Sequence, residues 1–282
     1  MTIDSLIAVA DQTRPRALAT ARQIVLWCRA RELAAWTAAE APHDLHPALV
    51  VALGGDRTMM RTARRYPNAL LLGINFGRVG FLSTVEHREW QTALGRVLAG
   101  DFVKREGPTL AATLCPSGQS FTGAINDFVL RAPRGVAEVE LYLDTHFVNV
   151  YPGDGLIVST PQGATAYAMN AGGPILAPGV RGLVVVPISS GPAVDRGLVA
   201  PESARLDLLL RGRYPVELTL DGESVATVHP GEEVTIQAGE STFRSVVFPE
   251  HNYFAALRQK LNYTIRPHYR PLRGSGRDSA DP

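Results

Sequence analysis

The chain has 282 residues, enough for one large domain or two ordinary ones, and 45% of them are apolar. Its 28 basic and 27 acidic side chains nearly cancel, to a formal net charge of +1, which gives no electrostatic case for binding nucleic acid or an anionic membrane surface. No apolar run reaches the length of a membrane span, and residues 1–5 lack the basic start of a secretory signal.

Ser5–Ala10 is an apolar run and a first strand. Arg14 to Arg31 carries Leu18, Ala21, Val25 and Cys28 on one helical stripe. Cys28 and Cys115 are the two cysteines. Both sit in apolar surroundings and read as small core hydrophobes, which suits a reducing, cytoplasmic compartment. The seven histidines show no zinc-type spacing, so no protein-held metal centre is expected.

Residues 48–53 are apolar without alternation, as in a strand covered on both faces. Gly54 and Gly55 then let the backbone turn and approach a ligand closely. Asp56 follows at the carboxyl end of that strand, where open α/β sheets bind ligands. Thr58 opens a predicted helix over 58–65, whose first amides suit phosphate. On its own, Gly-Gly-Asp also describes an ordinary strand–turn–helix junction. Pro67-Asn68 marks a turn, and Ala69–Ile74 is a second apolar run ending in Asn75. Strand, helix and strand in this rhythm predict a parallel sheet.

A second glycine loop spans 73–83, without the spacing of the dinucleotide fingerprint. Phe81 on this loop either stacks on a base or packs into the core. Ser83-Thr84-Val85-Glu86 reads as a capping box opening a helix with Trp90, Leu94, Val97 and Leu98 on one face. From Lys104 helical periodicity gives way to β-type runs: Leu110–Leu114, Ala124–Leu130, Val139–Leu143, Phe147–Val150, Leu156–Ser159, Leu183–Ile188, Leu206–Leu210, Val216–Leu220, Val234–Ile236 and Arg244–Phe248. Asp144-Thr145 and Asp221-Gly222 sit where hairpin turns belong. The expected organisation is an α/β donor- or nucleotide-binding domain over 1–102 and a β-rich substrate-binding domain over 103–250. A helical segment at 251–266, with Phe254, Leu257 and Leu261 on one stripe, is expected to pack back on the first domain. The Arg-, Pro-, Gly- and Ser-rich tail at 267–282 is expected to be disordered.

Two stretches of the β-rich part carry chemistry. Asn126 offers a donor and an acceptor, and Asp127 offers acceptors only. Together they can grip ribose hydroxyls and an adenine edge, or serve as turn and edge-strand residues. Residues 153–174 hold a strand that ends in Ser159-Thr160-Pro161, then a short helix with Tyr167 and Asn170, stopped by Gly172-Gly173-Pro174. That density of Gly, Thr and Pro reads as backbone shaped around a ligand. Asp154, between two glycines, is placed to accept from an amide.

In order and spacing these segments resemble the NAD kinase family over roughly residues 5–261. Residues 54–58 are similar to its Gly-Gly-Asp-Gly-Thr motif, 75–82 to its next glycine loop, and Asn126-Asp127 to its Asn-Glu pair. Residues 154–174 are similar to its long substrate loop, and 253–261 to its terminal helix. The resemblance implies an α/β nucleotide-binding domain joined to a β-sandwich-like domain. It implies transfer of a phosphoryl group from ATP, another NTP or polyphosphate to the 2′-hydroxyl of the adenosine ribose of NAD, with Mg²⁺ or another divalent cation. It implies Asp56 as the base, with Gly54, Gly55, Arg57 and Thr58 at the donor phosphates. Asn126, Asp127 and Phe81 fall at the adenosine, Asp154 at the nicotinamide amide, and Thr165, Ala166 and Tyr167 along the dinucleotide. Self-association as a homodimer or homotetramer is also expected by resemblance.

Three departures lie inside these motifs. Arg57 stands at the motif's second glycine. If that position needs a positive φ, a side chain costs roughly 1–2 kcal/mol, and its cation either clamps a donor phosphate or fills the donor pocket. Asp127 shortens the family's Glu by one methylene. Asn170 replaces Ser and adds bulk and a donor. The alternatives left open are a relative that phosphorylates another nucleoside or nucleotide, and a non-catalytic NAD(P)-binding sensor. Retention of Asp56 argues against the sensor.

Overall fold

The computed structural model describes residues 3–77, 80–191 and 196–260. β1 (Ser5–Ala10) leads through α1 (Pro15–Arg29) to β2 (Ala34–Thr37), which pairs with it in parallel. β3 (Leu49–Gly54) pairs in parallel with the other side of β1. After α2 (Asp56–Arg65), β4 (Leu70–Asn75) pairs in parallel with β3. On β3, Leu49, Val51 and Leu53 join the core beneath α1, while Val50 and Ala52 meet Met59, Met60 and Ala63 of α2. Burial on both faces removes the usual polar alternation.

The capping-box expectation fails. Val85 and Glu86 form β5 (Val85–Glu86), parallel to Ile74 and Asn75 at the end of β4. A single 3₁₀ turn at His87–Glu89 then leads into α3 (Trp90–Leu98), and neither helical start carries a side-chain cap bond. A β-branched residue beside an open strand edge took the ladder instead of the cap.

The second half is strand after strand: β6 (Val103–Cys115), β7 (Gln119–Ala124), β8 (Asp127–Arg131), β9 (Ala137–Leu143), β10 (His146–Gly153) and β11 (Gly155–Ser159). α4 (Tyr167–Asn170) interrupts before β12 (Gly182–Ile188), β13 (Leu198–Pro201), β14 (Leu206–Leu210), β15 (Val216–Leu220), β16 (Glu223–Val228) and β17 (Glu233–Val247). Six of these strands form an antiparallel sheet in the order β13-β12-β11-β8-β15-β16. The others extend the parallel sheet into a mixed one, in the order β10-β9-β14-β17-β4-β3-β1-β2, with β6 on β17. β17 is the joint. It pairs antiparallel with β6 along its length and parallel with β4 at Arg244 and Ser245. Between the two sheets Leu110, Leu141, Leu206 and Ile236 meet Phe128, Leu156 and Leu218 in one core. The expected combination of an α/β half and a β-sandwich-like half is the observed fold, and residues up to Pro249 form one compact unit.

Two readings of the strands change. The runs at 234–236 and 244–248 belong to the single strand β17, whose register shifts between Ala238 and Thr242. The run at 124–130 is two strands, broken at Ile125 and Asn126, whose amides leave the ladder for the Asp221 carboxylate. Asp144, Thr145, Asp221 and Gly222 all take positive φ, as two-residue hairpin turns require.

The described residues from Glu250 onward belong to a second unit. In it Asn252 caps α5 (Tyr253–Lys260), its Oδ1 accepting the Phe254 and Ala255 amides at 3.0 and 3.1 Å. Leu261 and the tail expected at 267–282 lie outside the described residues, as do Arg78 and Val79 of the second glycine loop.

Candidate active site

The Asp56 carboxylate fastens the two glycine loops together. It accepts the amides of Phe81 at 2.8 Å, Leu82 at 3.1 Å and Ser83 at 2.9 Å. A carboxylate has about four acceptor positions, and among the described residues these three amides are its hydrogen-bond partners. A Cβ on Gly80 would overlap this carboxylate, and one on Gly73 would run into Ser83 and Leu82, so both glycines are needed for the loop to lie on β4. The second loop is also tied at its start. The Phe76 amide bonds the Gly54 carbonyl at 2.8 Å, the Asn75 Oδ1 accepts the Gly77 amide at 2.7 Å, and Arg14 Nη1 donates to the Phe76 carbonyl at 2.9 Å. Phe81 is half-buried beside Asp56.

Gly54 is required by packing, since a Cβ there would overlap the Thr58 hydroxyl. Gly55 is different. It is extended, with φ −138° and ψ −167°, and a Cβ there would meet nothing within 4 Å. Neither strain nor crowding explains this glycine. Arg57 is the second residue of α2, exposed and helical, and is not among the residues with positive φ. The conditional cost of a strained backbone therefore does not arise. What remains is a cation in a helix's first turn, where the dipole disfavours it by about 0.3–1 kcal/mol unless an anion is present.

The Asn126–Asp127 segment borders α2, because Ile125 packs with Met59 and Met60. The Asp221 carboxylate, on the β15–β16 hairpin, gathers its amides: Ile125 at 3.1 Å, Asn126 at 2.7 Å and Asp127 at 3.2 Å. Arg64, near the end of α2, donates Nη1 to Asp221 at 2.9 Å and Nη2 to Glu223 at 2.8 Å. Asp127 is 4% exposed. Burial pushes its carboxyl up from 3.8 to about 7, and the charge of Asp221 adds to the rise.

The substrate-type loop sits on the same segment. Ser159 Oγ and the Thr160 amide bond the Asn126 carbonyl at 3.0 and 2.8 Å, and Thr160 Oγ1 bonds the Ile125 carbonyl at 2.6 Å. A Cβ on Gly163 would overlap the Asn126 carbonyl. Thr165 is buried in the short turn Gly163–Thr165, its hydroxyl on the Gln162 carbonyl at 3.1 Å. Ala166 and Tyr167 are half-buried, and Asn170 is exposed at the end of α4. The chain thus brings Ser159, Thr160 and Gly163 onto the Asn126 segment, and Thr165, Ala166 and Tyr167 follow Gly163 directly. It does not bring Asp154 there. Asp154 precedes β11 while Ser159 ends it, about 17 Å away at roughly 3.4 Å per residue.

Sequence reasoning missed Arg14, Arg64 and the side-chain role of Asp221. The Asp-Gly turn was the available signal for Asp221, whereas nothing local marks either arginine. Among the described residues no group of three or more His, Cys, Asp or Glu converges as a metal cage. Cys28 is fully buried, which pushes its thiol up to about 11, and both cysteines are free. No described helix is long and apolar enough to cross a membrane.

The ATP-NAD kinase N-terminal domain matches residues 7–102, and the ATP-NAD kinase C-terminal domain matches residues 126–248. An NAD kinase of Thermomicrobium roseum is 43% identical over 94% of this chain and 93% of its own length. One from Bordetella parapertussis is 35% identical over 78% and 77%. Among solved structures, yeast NADH kinase complexed with NADH superposes with a TM-score of 0.81 at 20% identity, covering 97% of this chain and 91% of its own. The Archaeoglobus fulgidus NAD kinase in complex with ATP gives 0.72 at 22%, covering 92% and 98%. At those identities the superpositions speak for the fold alone. Both family domains match in order, and a relative 43% identical spans most of the chain, which therefore belongs to the NAD kinase family.

Proposed function

We propose that this chain is an ATP-dependent NAD kinase, transferring a phosphoryl group to the 2′-hydroxyl of the adenosine ribose of NAD to give NADP. The observation that carries the proposal is Asp56: a carboxylate at the carboxyl end of β3, fixed by three amides of the second glycine loop. Asp56 accepts the proton of the attacking hydroxyl. The acceptor is oriented by Asn126 and Asp127 at its ribose and adenine, by Phe81 against the base, and by Thr165, Ala166 and Tyr167 along the dinucleotide. The start of α2, with Gly54, Gly55, Thr58 and the exposed Arg57, faces the donor phosphates, where backbone amides and a cation favour bound anions. Phosphoryl transfer asks mainly for positioning and charge neutralisation, which is what these groups supply.

The donor set suits a magnesium ion carried on the nucleotide. Such an ion would need one or two carboxylates plus phosphates rather than a protein cage; Asp56 would be one such carboxylate, and the ion would supply charge neutralisation at the donor phosphates. The enzyme is taken to work in the cytoplasm, in keeping with two free cysteines. A homodimer or homotetramer would cover Phe147 and Val148, exposed on the edge strand β10.

The test is an end-point assay read by mass spectrometry, with NAD, NADH and a nucleotide panel as acceptors and ATP, GTP or polyphosphate with Mg²⁺ as donors. NADP formed from NAD and ATP, and lost in Asp56→Asn, is the expected result. A phosphate appearing only on another acceptor, or no product from any pair, would overturn the assignment.

A further inference from the structure

We infer that Asp221 and Arg64 are positioning residues that set the acceptor-binding segment at a fixed place relative to α2, and through α2 relative to Asp56. The inference rests on the NAD kinase assignment. The Asp221 side chain is 1% exposed, and its two oxygens take three backbone amides and one guanidinium nitrogen. The Asp221 amide in turn bonds the Asp127 carbonyl at 3.0 Å. Residues 125–127 are therefore gripped by one residue through both its main chain and its side chain. The opposite side of the same backbone is held by Ser159 and Thr160. Asn126 and Asp127 have almost no freedom to slide.

Arg64 converts that local grip into a long-range one. It lies on the helix that Asp56 begins, eight residues later, about 12 Å along the axis at roughly 1.5 Å per residue. A two-and-a-half-turn helix is rigid on this scale, so α2 acts as a spacer between the base and the acceptor segment. Stability alone does not call for such an arrangement, because a buried ion pair is often no better than apolar residues of the same volume. The second partner of Arg64, Glu223, is 46% exposed, and among the described residues its side chain pairs with Arg64 and Arg61. It provides an internal control, since removing it alters the guanidinium's surroundings without touching the segment.

The experiment compares Asp221→Asn, Arg64→Lys and Glu223→Gln with the wild type, in steady-state kinetics with NAD and ATP varied separately. Asparagine tolerates the positive φ of position 221, so the turn survives while the carboxylate is lost. Asp221→Asn is expected to lower kcat/KM for NAD roughly 10- to 100-fold, the scale of a small misplacement, with the KM for ATP moved less than about twofold. Arg64→Lys keeps the charge but not the fork and should give the same pattern, weaker. Glu223→Gln should leave both substrates unaffected. Amide hydrogen exchange supplies a readout independent of activity, with protection lost at 125–127 and retained across the rest of the sandwich.

Equal changes for NAD and ATP, or the same loss in Glu223→Gln, would reduce the pair to a general brace and overturn the inference. Exchange that speeds up evenly across both sheets would do so too. If Asp221→Asn does not yield folded protein, Arg64→Lys decides on the same criteria. A wild type that leaves NAD unphosphorylated defeats the functional assignment instead, and the exchange data still report whether the segment is held as described.

Discussion

Asp56 and Asp127 are both carboxylates at strand ends, yet their surroundings are opposites. Asp56 has three amides on its oxygens, so most of its acceptor capacity is spent on holding a loop. Asp127 is buried, and what acts on it is desolvation and the negative charge of Asp221. One carboxylate is largely hydrogen-bonded before any ligand arrives. Among the described residues no hydrogen bond is made to the side chain of the other. The first should act through where it is, and the second through what it binds.

The largest effect is expected at Asp56. Asp56→Asn removes the proton acceptor and also presents an amide donor to amides 81–83. Loss of a general base alone lowers kcat by about 10²–10⁴-fold. Single-turnover transfer measured beside NAD binding checks this. A variant within tenfold of wild type would make Asp56 a loop anchor and no more, and the contrast would collapse.

Asp127 comes next, and its signature is pH dependence. Its folded value of about 7 lies above the ordinary 3.8, so between those values the native state holds more protons than the unfolded one. Stability therefore falls as pH rises through that window, and the gap corresponds to on the order of 4 kcal/mol as an upper bound. Asp127→Asn should match wild type in melting temperature near pH 4 and exceed it near pH 8. Acceptor binding runs the other way. A ribose hydroxyl needs the charged carboxylate, so wild-type affinity for NAD should rise from pH 6 to pH 8, and the rise should be absent in the variant. Parallel pH profiles for the two proteins would rule out a ribose contact.

Two glycines sharpen the contrast at a smaller scale. A Cβ at Gly80 would overlap the Asp56 carboxylate, whereas one at Gly163 would overlap the Asn126 carbonyl. Each alanine substitution should cost about tenfold to 100-fold, as displaced catalytic or binding groups do. Gly80→Ala should appear mainly in kcat, and Gly163→Ala mainly in the KM for NAD. The same split for both variants would mean that the two regions move as one body.

The two regions also differ in how far they could be read from sequence. The β3–α2 junction was legible because its chemistry is local: an unalternating apolar strand, two glycines and a carboxylate lie within ten residues. The fold class followed from the same kind of signal. The surroundings of Asn126 were not legible, because Asp221 lies 95 residues from Asn126 and 157 from Arg64. Asp221 advertised only its turn, since Asp-Gly suits two positive φ angles whatever its carboxylate does. The break at 125–126 was hidden for the same reason: its cause is an acceptor from another hairpin. Ser83 and Glu86 misled because the capping-box pattern carries no information about a neighbouring strand edge, and β4 offered one.

Arg57 is the smallest case and tests the first region alone. Replacing it by glycine removes a cation disfavoured by the helix dipole by about 0.3–1 kcal/mol and introduces a residue costing about 0.5–1 kcal/mol in a helix. The two nearly cancel, so Arg57→Gly should leave the melting temperature almost unchanged. Its effect should fall on the donor: a KM for ATP raised a few-fold, as for an exposed charge pair worth about 1 kcal/mol or less, and a weaker dependence on salt. The constants for NAD should not move, because the acceptor segment is held from the other end of α2. A lower KM for ATP in Arg57→Gly would reverse the assignment. Arg57 would then obstruct the donor site, and the question of a binding protein in place of an enzyme would turn on whether that variant transfers phosphate faster than the wild type.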